Sequence, residues 1–240
     1  MIKQTQNDKQ FVVIVPAAGV GKRMLATCPK QYLEINDQAI LTHTANRLLS
    51  HPNIAKIIIV VSDEDEYFAQ TDLVNNKNII RVSGGKERVD SVLNGLQAID
   101  AEKHPWVLVH DAARPCVTHR DIDKIITQCI TKNCGGLLAA QVVDTIKQNS
   151  SECSNTVDGT IDRSNLWHAF TPQMYKTVEL KKAIEQALEK KLAITDESSA
   201  IELSGLPSLL VLGRRDNIKI TRPEDIALAS FYLAQQKLEQ

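Results

Sequence analysis

The sequence predicts an α/β protein built on a mostly parallel, twisted β-sheet with helices on both faces. Short apolar runs alternate along the chain with segments in which apolar residues recur every three or four positions. This alternation is typical of right-handed βαβ units, whose helices cover a parallel sheet. The length of 240 residues suits one such domain with a substantial core. Residues 1–240 are therefore interpreted as a single domain.

Buried strands are predicted where a short apolar run rich in branched residues is bounded by glycine, proline or polar residues. These runs are Phe11–Val15, Ala55–Val61, Asn78–Val82, Trp106–Val109, Gly135–Val142 and Ser208–Leu212. Helices are predicted where the apolar period is close to that of an α-helix. They cover Ala39–Leu49, Val89–Leu96, Ile122–Ile130, Val178–Leu192 and a last segment from Glu224. Thr221 and Glu224 form a capping-box pattern at the start of that last helix.

A polar region, residues 143–163, interrupts the alternation. It contains Asn149-Ser150-Ser151 and Asp158-Gly159, with weak strand signals at Thr145–Lys147 and Thr160–Ile161. This pattern predicts a protruding β-hairpin. Two strands alone are not stable in water, so we expect this β-arm to pack against another surface, such as a second subunit.

Composition and charge exclude several classes of protein. The formal net charge is -1, which gives no basic field for nucleic acid. Apolar runs such as Ile57–Val61 are far shorter than the roughly 20 residues that span a bilayer. The five cysteines are scattered and form no C-x-x-C pattern, which indicates reduced thiols rather than disulfides or zinc ligands. We therefore expect a cytoplasmic protein that binds neither nucleic acid nor membranes.

Three polar or glycine-rich loops follow predicted strands, at the edge where parallel sheets bind ligands. The first, Ala17–Pro29, combines small residues and two glycines with Lys22, Arg23 and Lys30, a composition that suits a triphosphate. It lacks the third glycine of the dinucleotide fingerprint, and the Walker pattern fails because Arg23 follows Gly21-Lys22. The other two loops are Gly84–Arg88 and His110–Pro115.

Asp111 follows an apolar strand directly. A carboxylate in that position can hold Mg²⁺ that bridges phosphates, because Mg²⁺ prefers oxygen ligands. From the residues alone, Asp111 could equally cap a helix or pair with Arg114. We expect the adjacent His110 to be structural. No zinc spacing of histidines and no G-x-S-x-G elbow occurs.

The first loop, Pro16–Met24 with Pro29–Tyr32, resembles the signature of nucleotidyltransferases that activate sugars and sugar alcohols. Further blocks follow in the family's order: Gly84–Val92, Val109–Pro115, Asp144-Thr145, Asp162-Arg163, Leu166–His168, Thr171–Gln173, Thr195–Glu197, Asp216–Lys219 and Thr221–Asp225. Together they are most similar to the 2-C-methyl-D-erythritol 4-phosphate cytidylyltransferase family. The resemblance implies a Rossmann-like nucleotidyltransferase fold. It also implies transfer of the cytidylyl group of CTP to 2-C-methyl-D-erythritol 4-phosphate, with release of pyrophosphate, in isoprenoid precursor synthesis.

The resemblance also implies roles for individual residues. Lys30 and Lys219, the latter from another strand, would contact the α-phosphate of CTP, and Arg23 the outer phosphates. Asp111 would hold Mg²⁺. The CTP-binding set would be Ala17, Ala18, Gly19, Gly21, Gly85, Lys86 and Ser91. The acceptor-binding set would be Arg114, Thr145, Arg163, Thr171 and Thr195, with Trp167 and His168 as the pocket floor. In the family the β-arm is exchanged between subunits, so the resemblance implies a homodimer in which Arg163 reaches the partner's site.

Chemistry fits this reading, and three alternatives remain open. The second pKa of a phosphate monoester is about 6, so the acceptor is already a nucleophile at neutral pH and needs no general base. Positioning and electrostatics would carry the catalysis. A ribitol 5-phosphate cytidylyltransferase would share the CTP loop. A nicotinamide-dependent oxidoreductase would share the fold class, although the third glycine is absent. A non-catalytic nucleotide-binding regulator would not need two lysines at one phosphorus.

Overall fold

The structure is a computed structural model, and it describes residues 11–19, 28–150 and 155–238. Its centre is a seven-stranded sheet in the order β11-β7-β10-β6-β1-β4-β5. The strands of this sheet are β1 (Phe11–Pro16), β4 (Ile54–Val61), β5 (Ile79–Ser83), β6 (Trp106–Val109), β7 (Gly136–Gln141), β10 (Trp167–Lys176) and β11 (Leu209–Leu212). All are parallel to their neighbours except β10, which runs antiparallel to both β6 and β7. A small hairpin is formed by β2 (Glu34–Ile35) and β3 (Gln38–Ala39).

Helices cover both faces of the sheet, as the sequence predicts. They are α1 (Ile40–Leu49), α2 (Arg88–Gln97), α3 (His119–Lys132), α4 (Thr177–Glu189), α5 (Glu197–Leu203) and α6 (Glu224–Leu238). Because strand residues point alternately to opposite faces, Val13 and Val15 join a core with α1 and α3. Val12 and Ile14 join a second core with α2, α4 and α5. Burial on both faces explains why β1 is a continuous apolar run.

Every strand and helix predicted from the apolar pattern is present, with ends shifted by a few residues. The sequence analysis did not predict the small β2–β3 hairpin, the short 3₁₀ helices, β10 or α5. β10 contains Thr171-Pro172 at its centre, and its register breaks between Ala169 and Gln173. Because proline has no N–H to give a strand ladder, the sequence there does not read as a strand. α5 has only seven residues, too few to show helical periodicity.

The start of α6 differs in detail from the predicted capping box. The carboxylate of Asp225, not that of Glu224, accepts hydrogen bonds from the Thr221 and Arg222 N–H groups at 2.8 and 2.9 Å. Glu224 lies on the outside, with its side chain 70% exposed. The capping position is thus one residue later than the S/T-x-x-E spacing indicates.

The predicted β-arm is a separate two-stranded antiparallel hairpin of β8 (Ile146–Asn149) and β9 (Val157–Ile161). It is not hydrogen-bonded into the main sheet. Its side chains are largely exposed, including Val157 at 63%. None of the described helices combines the length and the apolar character needed to cross a membrane.

Candidate active site

The main cavity lies at the carboxyl ends of β1 and β6, where the order of strands reverses. From β1 the chain proceeds outward to β4 and β5, and then returns to β6 on the other side of β1. Ligands of open α/β sheets bind at such a switch point. The cavity measures about 310 Å³, and its wall includes Ala17, Ala18, Gly19, Lys30, Gly85, Lys86, Arg88, Ser91, Asp111 and Lys219.

Backbone packing shapes the cavity wall at Gly84 and Gly85. A Cβ on Gly84 would lie 2.4 Å from the Cβ of Ala18, and one on Gly85 would lie 2.2 Å from the Cβ of Asp90. No side chain fits at either position. The buried Ser91 hydroxyl accepts a hydrogen bond from the Gly85 N–H at 3.1 Å and donates to the Glu87 carbonyl at 3.3 Å. Ser91 therefore fixes the backbone that faces the cavity.

Lys30 and Lys219 converge on this cavity from distant parts of the chain. Lys30 opens the short 3₁₀ helix Lys30–Tyr32, and its Nζ donates to the carbonyl of Ile220, the residue after Lys219, at 3.3 Å. Lys219 lies in the loop after β11 and not in a strand, which corrects the sequence-based placement. Its Nζ is 2.9 Å from Oδ2 of Asp111. The predicted meeting of two lysines and a carboxylate in one cleft is thus present.

Asp111 is ionised and surrounded by cations. Besides Lys219, Arg88 Nη2 contacts its Oδ1 and Arg114 Nε its Oδ2, both at 3.3 Å. Burial alone would raise the pKa of Asp111, but the charges of Arg88, Lys219 and Arg114 outweigh it and hold that pKa well below the usual range. The N-cap of α3 is Thr118, so the helix-capping alternative for Asp111 is wrong, whereas the pairing with Arg114 is real.

A second cavity of about 210 Å³ adjoins the first, and Arg88, Asp111 and Lys219 line both. The second cavity also includes Arg114, Thr171 and Thr195 of the predicted acceptor set. The Arg114 guanidinium lies 5.1 Å from the ring centroid of Phe170 and donates to the carbonyl of Asn217 at 2.7 Å. Burial lowers the pKa of Arg114, although an arginine remains charged.

Behind the second cavity, His110 is fully buried and has a structural role, as predicted. Its Nδ1 is 3.0 Å from the Thr171 hydroxyl, which also accepts a hydrogen bond from the Asp111 N–H at 3.0 Å. Its Nε2 is 3.0 Å from the Arg114 carbonyl. Burial lowers the pKa of His110 to about 4, so the neutral ring ties together the backbone that presents Asp111 and Arg114.

Several predicted site residues are not brought into either cavity. Thr145 and Arg163 are exposed at the base of the β-arm, where Arg163 Nη1 donates to the carbonyl of Val143. Gly21 and Arg23 lie outside the described residues. The second cavity of the single chain is not lined by Trp167 or His168, which were predicted to form the pocket floor. His168 is exposed, and the adjoining Ala169 and Phe170 line the second cavity instead.

Sequence reasoning assigned no role to Arg88 or Glu197, which form an ion pair beside Asp111, with Glu197 buried and Arg88 half-buried. Arg88 is the first residue of α2 and Glu197 the first of α5. Their atoms Nη1 and Oε1 are 2.7 Å apart. Both residues fall inside blocks that carry the family resemblance, but their meeting depends on how two helices pack, which no local pattern reveals.

Asp111 is suited to bind Mg²⁺ together with phosphate oxygens. Within the part of the chain that the structure describes, no three His, Cys, Asp or Glu side chains are grouped to hold a metal ion. Mg²⁺ at nucleotide sites is usually held by one or two carboxylates plus substrate phosphates, with several waters retained. An ionised carboxylate in the wall of a cavity lined by lysines satisfies that requirement.

Comparisons with known proteins agree with this geometry. The family described as IspD, 2-C-methyl-D-erythritol 4-phosphate cytidylyltransferase, matches residues 11–235. The protein of that name from Colwellia psychrerythraea is 61% identical, over 95% of this chain and 96% of its own. The one from Vibrio parahaemolyticus is 50% identical, over 97% and 99%. The crystal structure of the Francisella tularensis protein superposes with a TM-score of 0.79 at 34% identity, over 93% of this chain and 99% of its own. The chain therefore belongs to the 2-C-methyl-D-erythritol 4-phosphate cytidylyltransferase family of nucleotidyltransferases.

Proposed function

We propose that the chain transfers the cytidylyl group of CTP to 2-C-methyl-D-erythritol 4-phosphate, giving 4-diphosphocytidyl-2-C-methyl-D-erythritol and pyrophosphate in isoprenoid precursor synthesis. The observation that carries this proposal is the convergence of Lys30, Lys219 and Asp111 on the main cavity. The family of the chain supplies the identity of the substrates. The ribitol 5-phosphate, oxidoreductase and regulator alternatives gain no support from these relatives.

The two adjoining cavities suit two anionic substrates that react where they meet. CTP would occupy the main cavity, with its base against the Gly85 backbone and its phosphates towards Lys30. The acceptor phosphate would occupy the second cavity beside Arg114. Lys219 lines both cavities, so it stands where the acceptor oxygen attacks the α-phosphorus. Two anions approach there only if fixed cations offset their repulsion.

No general base is needed in this arrangement, because the acceptor phosphate is largely dianionic at neutral pH. The neutral, buried His110 is committed to Thr171 and Arg114 and does not face a substrate. The cations instead stabilise charge on the phosphoryl oxygens as pyrophosphate leaves. Lys219 is paired with Asp111 in this structure, so we expect it to exchange that carboxylate for phosphate oxygens when CTP binds.

We also propose Mg²⁺ as the cofactor, held by Asp111 together with phosphate oxygens. When bound, it would neutralise phosphate charge and stabilise the leaving pyrophosphate. Arg114, which contacts Oδ2 of Asp111, would keep the carboxylate oriented.

Pyrophosphate release tests the proposed function. CTP, ATP, GTP and UTP are each assayed with 2-C-methyl-D-erythritol 4-phosphate and with ribitol 5-phosphate. We expect turnover with CTP and the methylerythritol substrate. Preference for ribitol 5-phosphate, or turnover with no acceptor present, would contradict the proposal.

A homodimer formed through the β-arm is part of the proposal. The arm exposes Val143, Val157 and Ile161, and within the described part of the chain its two strands pair only with each other. An isolated hairpin is marginal in water, so a second subunit would stabilise it. Arg163 would then enter the partner's second cavity. Analytical ultracentrifugation should give twice the mass of the chain, and a monomer at micromolar concentration would refute the dimer.

We propose the cytoplasm as the location. The four described cysteines, Cys28, Cys116, Cys129 and Cys134, are all free thiols, which suits a reducing compartment.

A further inference from the structure

A second buried carboxylate, Glu197, lies behind Asp111, and the proposed reaction gives it no task. Its side chain is 2% exposed. A buried carboxylate is costly unless it is paired and hydrogen-bonded. Arg88 provides the pairing, since its Nη1 and Nη2 donate to the two oxygens of Glu197 at 2.7 and 3.3 Å. The pair joins the first residue of α2 to the first residue of α5.

The guanidinium of Arg88 contacts two carboxylates and lies closer to Glu197 than to Asp111. The 2.7 Å contact with Glu197 has the length of a charge-assisted hydrogen bond, whereas the 3.3 Å contact with Asp111 is longer than that range. Burial acts to lower the pKa of Arg88, and Glu197, followed by Asp111, raises it above the ordinary value. Glu197 is therefore the main partner of Arg88.

As a result, the two oxygens of Asp111 differ in the cations that contact them. Oδ2 receives Lys219 at 2.9 Å and Arg114 at 3.3 Å, whereas Oδ1 receives the long contact from Arg88. A divalent cation competes with these contacts for the carboxylate. A divalent cation that binds Oδ1 has to displace only the long contact from Arg88.

We propose that Glu197 is a positioning residue that holds Arg88 back from Asp111 and so keeps Oδ1 available to the divalent cation. The inference rests on the proposed function, in which Asp111 holds Mg²⁺. Without the charge of Glu197, the planar fork of Arg88 closes on Asp111, because a guanidinium matches a carboxylate with two parallel hydrogen bonds. Three cations then saturate Asp111, and the local charge rises by one unit.

The position of Glu197 is well suited to this task because α5 is held firmly at its start. The Gln173 amide donates to Asp196 at 2.9 Å and accepts from the Ser198 N–H at 2.8 Å. Asp196 caps the helix by accepting from the Ser199 N–H at 2.9 Å. The backbone that carries Glu197 therefore cannot shift towards Asp111 without disturbing these hydrogen bonds.

The experiment measures Mn²⁺ binding to the full chain in the presence of saturating CTP and without acceptor, using the loss of the free-ion paramagnetic resonance signal beyond that caused by the same concentration of CTP alone. Glu197→Gln keeps the shape of the side chain and removes its charge. We expect Mn²⁺ affinity to fall about tenfold, the lower end of the effect of losing a supporting partner at a metal site. Adding Arg88→Gln to that variant should return affinity to within about threefold of wild type, because the competing cation is gone.

Ser198→Ala is the matched control. It removes the 2.6 Å hydrogen bond from Ser198 to Glu202 within α5 but leaves the charges around Asp111 unchanged. Thermal melts report any loosening of the helix, and Mn²⁺ affinity should stay at the wild-type value. If the role of Glu197 is only structural, the double variant should bind Mn²⁺ no more tightly than Glu197→Gln does.

Three results would overturn the inference: equal Mn²⁺ affinity for wild type and Glu197→Gln, no recovery in the double variant, or no Mn²⁺ binding by wild type. Pyrophosphate release by wild type is measured on the same preparation and decides the proposed function separately. If wild type turns over CTP and Glu197→Gln binds Mn²⁺ as tightly as wild type does, the positioning role of Glu197 is wrong but the proposed function stands.

Discussion

The main cavity and the second cavity share a wall, but they differ in how many of their predicted residues a single chain brings into place. Around the main cavity, Lys30, Lys219 and Asp111 already lie together, and the Gly84-Gly85 backbone is held in place. Around the second cavity, Arg114, Thr171 and Thr195 are present. The other two predicted acceptor residues, Thr145 and Arg163, lie exposed at the base of the β-arm.

This difference separates two tasks. The groups that we propose to stabilise charge at the phosphorus come from loops fixed to the central sheet, so their geometry is set as soon as the chain folds. In the proposed function, recognition of the acceptor depends in part on a hairpin that is not hydrogen-bonded into the main sheet and whose side chains are largely exposed. Variants at the main cavity should therefore impair chemistry inside each subunit, whereas variants at the arm should impair acceptor use between subunits.

Removing a lysine from the main cavity should have the largest effect. We expect Lys219→Ala and Lys30→Ala each to lower kcat by more than about 100-fold, because charge stabilisation in the transition state is lost. Steady-state kinetics with both substrates measures this. Lys103→Ala, at an exposed lysine paired with Asp100, is the control and should leave kcat unchanged. Near-normal turnover of either cavity variant would defeat the role assigned to it.

Arg163→Ala should have the next largest effect, and on the acceptor. A lost arginine–phosphate contact costs about 1.5–3 kcal/mol, so we expect KM for the acceptor to rise roughly 10- to 100-fold while CTP binding is retained. Mixing this variant with Lys30→Ala should restore part of the activity if Arg163 serves the partner's site. Mixtures no more active than the average of the two separate variants would show that the arm serves its own chain.

A methyl group on Gly85 should have a smaller effect, confined to the main cavity. Its Cβ would lie 2.2 Å from the Cβ of Asp90, so the backbone at the cavity wall must move. Overpacking of this kind costs about 1–3 kcal/mol, and we expect Gly85→Ala to raise KM for CTP about tenfold. Gly159→Ala, in the β-arm with open space around the added group, is the control and should leave KM for CTP unchanged.

The sequence predicted the main cavity better than the second because the main cavity is built from local patterns. Each of its loops directly follows an apolar strand, and parallel strands bring those loops to one edge of the sheet. Lys30 and Asp111 could therefore be placed from their own neighbourhoods. Lys219 was found through family resemblance. Its loop is held by a long-range hydrogen bond from the N–H of the next residue, Ile220, to the carbonyl of Ala113, which no periodicity encodes.

The second cavity depends on long-range pairing, which the sequence alone does not specify. β10 supplies Ala169, Phe170 and Thr171, yet it was not predicted, because it contains a proline and changes partners along its length. The Arg88–Glu197 pair joins residues 109 positions apart. Both features arise from how finished elements pack, so they become visible only in three dimensions.

Substitution of a buried histidine away from both cavities should have the smallest effect on activity. It should change the stability of the fold and leave catalysis unchanged. His51 lies between α1 and α3, with Nε2 3.1 Å from Asp123 and Nδ1 accepting from the Asn53 N–H at 3.2 Å. Burial lowers its pKa, against the opposing influence of Asp123. The unfolded chain, with an ordinary pKa of about 6.5, therefore binds a proton that the folded chain does not.

The free energy of unfolding should consequently fall as pH falls below about 6.5, and urea titrations across that range measure the slope. His51→Gln should reduce the slope but not abolish it, because the buried His110, whose pKa is lowered to about 4, contributes to the same slope. At neutral pH the kcat of His51→Gln and both KM values should equal those of wild type, because His51 lines neither cavity. A change in KM for only one substrate would show that α1 and α3 transmit strain to one cavity, and the division of tasks between the cavities would then extend into the core.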